Sequence, residues 1–241
     1  DAFGFSVSIS GDHAIVGAWG NGDGGENSGS AYIFSLDDGE WIQQVKLTAE
    51  DAEAGDYFGR SVSISGDYAI VGAASDDDDG EYSGSAYIFS LDDGEWTQQA
   101  KLTAEDADEH DRFGYSVSIS GDYAIVGASA DDDDGENSGS AYKFSFDDGE
   151  WIQQAKLTAE DAEAGDFFGI SVSISGDNAI VGAFANDDDG ENSGSAYIYH
   201  SPIEDPDDGE DDEEEEEDDE WIQQAKLIAD DGAAEDIFGY S

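Results

Sequence analysis

Apolar and polar positions alternate along the opening of the chain, then pause at short acidic or glycine-bearing turns. In FGFSVSIS, Phe3, Phe5, Val7 and Ile9 fall on one side and Gly4, Ser6, Ser8 and Ser10 on the other, the period of two expected of a strand with one buried face. Gly11 and Asp12 supply a tight turn into HAIVGA, a short apolar strand, so the pair predicts a hairpin. After an acidic loop come SGSAYIFSL, the turn DDGE and WIQQVKLTA, which predict a third and fourth strand. Helix signals are nearly absent, and TAEDAEAGD reads as loop or a single turn. The pattern predicts an all-β protein.

The same pattern recurs. Phe-Gly stands at Phe3, Phe58, Phe113, Phe168 and Phe238, and Trp at Trp41, Trp96, Trp151 and Trp221. The first four Phe-Gly pairs are 55 residues apart and the last interval is 70, the extra 15 residues coming from an acidic insertion over 200–220. We read one domain over 1–241, with repeats starting near 1, 56, 111 and 166 and a partial fifth repeat over 236–241. Four antiparallel strands per repeat, in tandem, predict the blades of a β-propeller. The small serine face of each first strand suits blades that stack face to face. An open β-solenoid, or part of a larger propeller, is the alternative. Four repeats could close as a four-bladed ring, and residues 236–241 would then compete with residues 1–6 for one slot. Either the chain is cut from a longer array or the spare strand start docks on a neighbouring molecule by strand addition.

Composition adds a statement about the medium. Against 62 Asp plus Glu stand only 7 Lys plus Arg, a formal net charge of -55. Such self-repulsion is screened as the Debye length falls from about 10 Å at 0.1 M salt to about 3 Å at 1 M, so the surface suits a halophile. The sign excludes nucleic acid and anionic membrane surfaces as partners. Without cysteine the chain has no disulfide, thiolate metal site or cysteine nucleophile. No apolar run reaches the roughly 18 residues of a membrane-spanning helix, so membrane insertion is not expected. A chain that lacks Met and opens on Asp1 is expected to be a processed product or a fragment.

The elements FGxSVSISGDxAIVGA and SGSAYIF resemble the FG-GAP repeats of the integrin α-subunit propeller and of many bacterial and archaeal surface proteins. The resemblance covers the chain apart from the acidic insertion. It implies a propeller, commonly extracellular or on the cell surface, used for adhesion or assembly, with self-association or other surface proteins and glycans as partners.

The acidic loops carry the candidate chemistry. Stacked, the four copies share the core [DN]-x-D-x-G-E: Asn21, Asp23 and Glu26; Asp76, Asp78 and Glu81; Asp131, Asp133 and Glu136; Asn186, Asp188 and Glu191. Alternate oxygen-bearing side chains around a glycine can wrap Ca²⁺, which takes six to eight oxygens at about 2.3–2.6 Å. The resemblance does not carry its own ligands over, because integrin-like repeats place the Asp-rich Ca²⁺ loop between the first and second strands, where this chain has the short SGD turn. A solvated halophilic loop is the competing reading. Asp51 and Asp56, with their copies Asp106 and Asp111, Asp161 and Asp166, and Asp231 and Asp236, flank the inter-blade connection and are expected to clamp it through Asx-type hydrogen bonds, with a metal as the alternative. Lys46, Lys101, Lys156 and Lys226 recur in the fourth strand and are expected to make fixed ion pairs. The insertion reads as a solvated block of like charge, or one held by cations or a neighbouring molecule.

Histidine occurs only as His13, His110 and His200, at three different repeat positions, and no Ser-His-Asp, HExxH or phosphate-loop motif is visible. Near-identical repeats argue against a single active site. The expected function is therefore a non-enzymatic structural or adhesion module of a halophile, self-assembling into a filament or larger array and stabilised by Ca²⁺; a lectin-like propeller that binds glycans or proteins is the alternative.

Overall fold

The computed structural model describes residues 1–187, 190–201, 221–229, 236 and 238–240, so most of the acidic insertion, Asp188 and Asp231 lie outside it. Four sheets follow one another along the chain, with no helix among the described residues. The first contains β1 (Val7–Ser10), β2 (His13–Gly17), β3 (Ala31–Asp37) and β4 (Glu40–Leu47). The second contains β5 (Ser61–Ser65), β6 (Tyr68–Ala73), β7 (Ser85–Asp92) and β8 (Glu95–Leu102). The third holds β9 (Phe113–Ser120), β10 (Tyr123–Ala128), β11 (Ser140–Asp147) and β12 (Glu150–Leu157), and the fourth β13 (Phe168–Ser175), β14 (Asn178–Ala183), β15 (Ser195–His200) and β16 (Ile222–Leu227). Each sheet is an antiparallel meander in chain order. The DDGE turns take the left-handed conformation that closes a two-residue hairpin, with Asp38 at φ 46° and Gly39 at φ 86° between the paired Asp37 and Glu40.

These are propeller blades. The innermost strands stack in series, β1 on β5, β5 on β9 and β9 on β13. The core lies between sheets, because a four-stranded sheet this small can bury apolar area only against another layer. Between the second and third blades, Ile70, Ile88 and Leu102 meet Phe113, Val117, Ile119, Tyr142 and Phe144 of the next. Each blade thus has a leading face, carrying the Phe-Gly phenylalanine and the β-branched side of its first strand, and a trailing face of Ile, Ala and Leu.

The landmark residues have local causes. Phe113 lies tilted against Tyr142 at 5.5 Å and edge-on to Phe144 at 6.0 Å, and its backbone bridges to Gly84 of the preceding blade. Gly114 adopts φ +85°, and a Cβ on Gly72 would lie 2.0 Å from the Gly114 carbonyl oxygen. The glycines of Phe-Gly and of VGA are therefore required by one close backbone approach across the blade seam.

The serine face has a role beyond being small. Ser6 and Ser8 hydroxyls accept hydrogen bonds from the Val62 and Ile64 amides at 3.1 and 3.2 Å; Ser63 accepts from Ile119 and Ser118 from Ile174, each at 3.2 Å. The inner strand of each blade is a sheet edge with unpaired amides, and the preceding blade's serines satisfy them. On the outer strand, Gln98 Oε1 accepts the Glu50 amide of the preceding linker at 3.1 Å, repeated by Gln153 and Glu105 and by Gln223 and Glu160.

The four blades do not close on themselves. Nothing comparable to the serial stacking joins β1 to β13 among the described residues. The leading face of the first blade is open, with Phe3, Val7 and Ile9 57%, 67% and 66% exposed, and so is the trailing face of the fourth, with Ile180 and Leu227 exposed where their counterparts in the earlier blades are buried. Phe238 and Gly239 also do not compete with residues 1–6: Phe238 bridges to Gly194 as Phe58 bridges to Gly29, so the fifth Phe-Gly occupies the start of a next blade on the fourth. The expected propeller of four tandem repeats with four antiparallel strands each is found, and the ring that those repeats could form stays open among the described residues for a physical reason. The terminal Phe-Gly already holds the close approach that each seam demands, with the Gly239 carbonyl oxygen 2.0 Å from where a Gly182 Cβ would stand.

Candidate functional site

The acidic loop leaves the sheet at the end of the second strand, where the chain must reverse. Asp76 and Asp131 open it with Asx turns, their Oδ1 accepting the amides of Asp78 and Asp133 at 3.2 Å. These first-position side chains are buried in all four blades, as Asn21, Asp76, Asp131 and Asn186. The Tyr87 and Tyr142 hydroxyls donate to Asp76 and Asp131 at 2.8 and 2.9 Å.

A lysine from the fourth strand completes each cluster. The Lys101 ammonium lies 2.8 Å from Asp51 and 3.2 Å from Asp76 and also contacts Asp78. Lys156 repeats this with Asp106 at 2.8 Å, Asp131 at 2.9 Å and Asp133. In the end blades the first position is Asn: Lys46 donates to Asn21 Oδ1 at 3.1 Å and pairs with Asp23, whereas Lys226 donates to Asn186 Oδ1 at 3.1 Å and pairs with Asp161 at 2.7 Å. Asp51, Asp106 and Asp161 belong to the linker before the blade that supplies the lysine, so the clamp ties consecutive blades together. The expected fixed ion pairing of the four lysines is found. The expected Asx-type role of Asp51 and its copies is corrected, because the lysine ammonium lies within reach and a charge-assisted bond is the stronger one. Asp56, Asp111 and Asp166 do take the Asx role, accepting the amides of Glu53, Asp108 and Glu163 at 2.6, 2.8 and 3.1 Å.

Electrostatics follows the geometry. Burial alone would raise the Asp51 and Asp106 carboxyls, but the hydrogen bonds from Lys101 and Tyr87, and from Lys156 and Tyr142, hold them below the usual carboxylate range. Burial likewise works against the charge on Lys101 and Lys156, yet the surrounding carboxylates raise both above the ordinary lysine value. Asp56 and Asp111 go the other way: burial, opposed by their backbone hydrogen bonds and reinforced by the charges of Asp76 and Asp131, pushes each up to about 6.

The carboxylate oxygens of Asp51, Asp76 and Asp78, and of Asp106, Asp131 and Asp133, lie within 4.8 Å of one another, close enough to hold a metal ion. The same oxygens receive the lysine ammonium, so an ion would have to displace it. Glu26, Glu81, Glu136 and Glu191, the sixth-position candidates, are exposed, and none belongs to these two triads. Asp188 lies outside the described residues. The linker aspartates, for which a metal is the alternative reading, fall outside the loop motif because they sit 50 residues before their lysines; the constant offset between the two copies is the signal that ties them to it.

The model of the FG-GAP repeat matches residues 1–34, 41–89, 96–144, 151–199 and 221–241. The chain belongs to the FG-GAP repeat family. Each internal FG-GAP match starts at the Trp of one blade's fourth strand and ends in the third strand of the next, so the linker and its close Phe-Gly approach fall inside the family unit. FG-GAP repeats are typically non-catalytic propeller modules. No curated protein matches the chain. Among solved structures it is similar to Sqt1 of Saccharomyces cerevisiae, at 14% identity and a TM-score of 0.43, over 82% of this chain and 43% of that one. The chain thus spans less than half the length of that structure.

Proposed function

We propose that this FG-GAP chain is a non-enzymatic structural module of a halophile's exterior, which serves adhesion or assembly by continuing its blade stack onto further copies of itself. The observation that carries this reading is the pair of open faces. Phe3 and Ile9, exposed on the first blade, have counterparts that every later blade buries, and Ile180 and Leu227, exposed on the fourth, have counterparts that every earlier one buries. An interface between unlike faces propagates head to tail, giving a ring if the rotation closes and a filament if it does not. Surface repeats of this family are typically extracellular, and the charge of -55 suits a salty exterior.

In this reading the lysines are built-in cations that hold the acidic loops without a metal. Ca²⁺ stabilisation is the second reading, favoured by the two triads. Sedimentation velocity in about 2 M NaCl, where screening is within a few ångströms, tests both. Assemblies that persist in EDTA are expected; a monomer at every concentration contradicts the assembly reading, and assemblies that dissolve in EDTA and return with Ca²⁺ contradict the lysine reading.

A further inference from the structure

The chain has two arginines, Arg60 and Arg112, and both line one open cavity of about 360 Å³ between the second and third blades, with Tyr57, Tyr82, Tyr115 and Ala74. A volume of that order is typical of small-ligand sites. With 62 acidic side chains available, neither arginine forms a salt bridge among the described residues; every one found there is made by a clamp lysine. Arg60 is instead held in place by neutral groups. Its Nη2 donates to the Tyr115 hydroxyl at 2.9 Å, and its guanidinium lies over the Tyr115 and Phe5 rings at 4.5 and 5.6 Å. Arg112 is exposed, on a backbone at φ 59° whose amide N–H donates a hydrogen bond to the Tyr82 carbonyl at 3.1 Å.

These residues stand where otherwise near-identical repeats diverge. The positions flanking Phe-Gly are Tyr57 and Arg60 in one repeat and Arg112 and Tyr115 in the next. The position after VGA is Ala74 in the second repeat but Trp19 in the first, where the indole packs on Tyr57 and Phe5. A small residue at 74 is what leaves the cavity open. The same positions carry Ala2, Phe5 and Trp19 in the first repeat and Phe167, Ile170 and Phe184 in the fourth, so this is the seam that gathers both arginines of the chain.

We propose that this cavity is a binding site for a carboxylate-bearing saccharide. Two guanidiniums without a carboxylate partner among the described residues match a carboxylate with paired, directional hydrogen bonds, and the tyrosine rings offer flat faces to the C–H side of a sugar ring. The protein's net charge repels free anions in dilute buffer. At the salt its surface is suited to, that repulsion is screened within a few ångströms, whereas contacts inside the cavity survive. This site is independent of the open blade faces, so either proposal can fail without the other.

Isothermal titration calorimetry in about 2 M NaCl tests it, with tri-galacturonic acid as the probe, maltotriose as the neutral control and penta-glutamate as the acidic peptide control. Binding of tri-galacturonic acid with Kd below about 1 mM is expected, about tenfold or more tighter than either control. Arg112→Gln and Ala74→Trp are each expected to weaken it about tenfold or more with an unchanged melting temperature, the second by filling the cavity as Trp19 fills its counterpart. No detectable binding, equal binding of maltotriose, tighter binding of penta-glutamate, or indifference to both variants overturns the proposal.

Discussion

The first and third blades are nearly the same sequence in two environments. Phe3 is 57% exposed and its counterpart Phe113 0%; Ile9 is 66% exposed and Ile119 5%. Both phenylalanines pack on their own blade's tyrosine at nearly the same distance, 5.4 Å to Tyr32 and 5.5 Å to Tyr142. The difference is a neighbour. Lys156 has the linker carboxylate Asp106 of the preceding blade, whereas Lys46 stands in a blade that no linker precedes within the described chain. In a stacked repeat, burial and charge pairing are conferred by the adjacent unit more than by the unit itself.

The largest expected contrast is between Phe113→Ala and Phe3→Ala. The first empties a closed inter-blade core and should cost about 3–5 kcal/mol; the second removes an exposed ring and should cost about 1 kcal/mol or less, both read by urea unfolding at protein concentrations too low for association. Equal losses would mean that the seam contributes little.

Next in size is the clamp. Lys101→Ala leaves Asp51, Asp76 and Asp78 facing one another without their cation, at a cost of about 2–3 kcal/mol because the site is partly exposed. Lys46→Ala, which loses one carboxylate and one amide partner, should cost about 1 kcal/mol. Raising the salt should shrink the second loss more than the first. A still smaller contrast is that of the serines: Ser63→Ala strands the buried-seam amide of Ile119 and should cost about 1 kcal/mol, while Ser173→Ala, exposed on the last blade, should leave the melting temperature unchanged.

The smallest effect separates the two aspartates of each linker by pH. Asp111, raised to about 6 in the fold, binds its proton more tightly folded than unfolded, so its contribution falls as pH rises from about 4 to about 6 and stays low above that. Asp106, depressed by Lys156, contributes above the unfolded carboxylate value and is lost as pH falls through its lower folded value. From these two groups stability should therefore peak near pH about 4 and decline toward pH about 6, and Asp111→Asn should raise the melting temperature at pH 8 but not at pH 4. A gain of equal size at both pH values would show that Asp111 is charged throughout.

The strands, the four-per-blade meander and the recurring lysine pairs were legible in the chain because alternation and turn chemistry are local, and a period of 55 residues repeats each signal. The open ends were not legible, since Phe3 and Phe113 carry the same motif and only the fold says which has a neighbour. The clamp was half legible. Asp76 and Lys101 share a repeat, but Asp51 arrives across a seam. The arginine cavity was hidden because its residues are the ones that do not repeat.

The head-to-tail complementarity of the two open faces is tested most directly by mixing two damaged chains. Val7→Asp with Ile9→Asp places charge on the leading face, and Ile180→Asp places it on the trailing face, all at exposed positions. In sedimentation velocity at about 2 M NaCl, wild type is expected to form species larger than a monomer and each variant alone to be monomeric. An equimolar mixture of the two variants should form 1:1 dimers, because one intact leading face then meets one intact trailing face. A monomeric wild type, or variants that stay apart when mixed, would contradict the account.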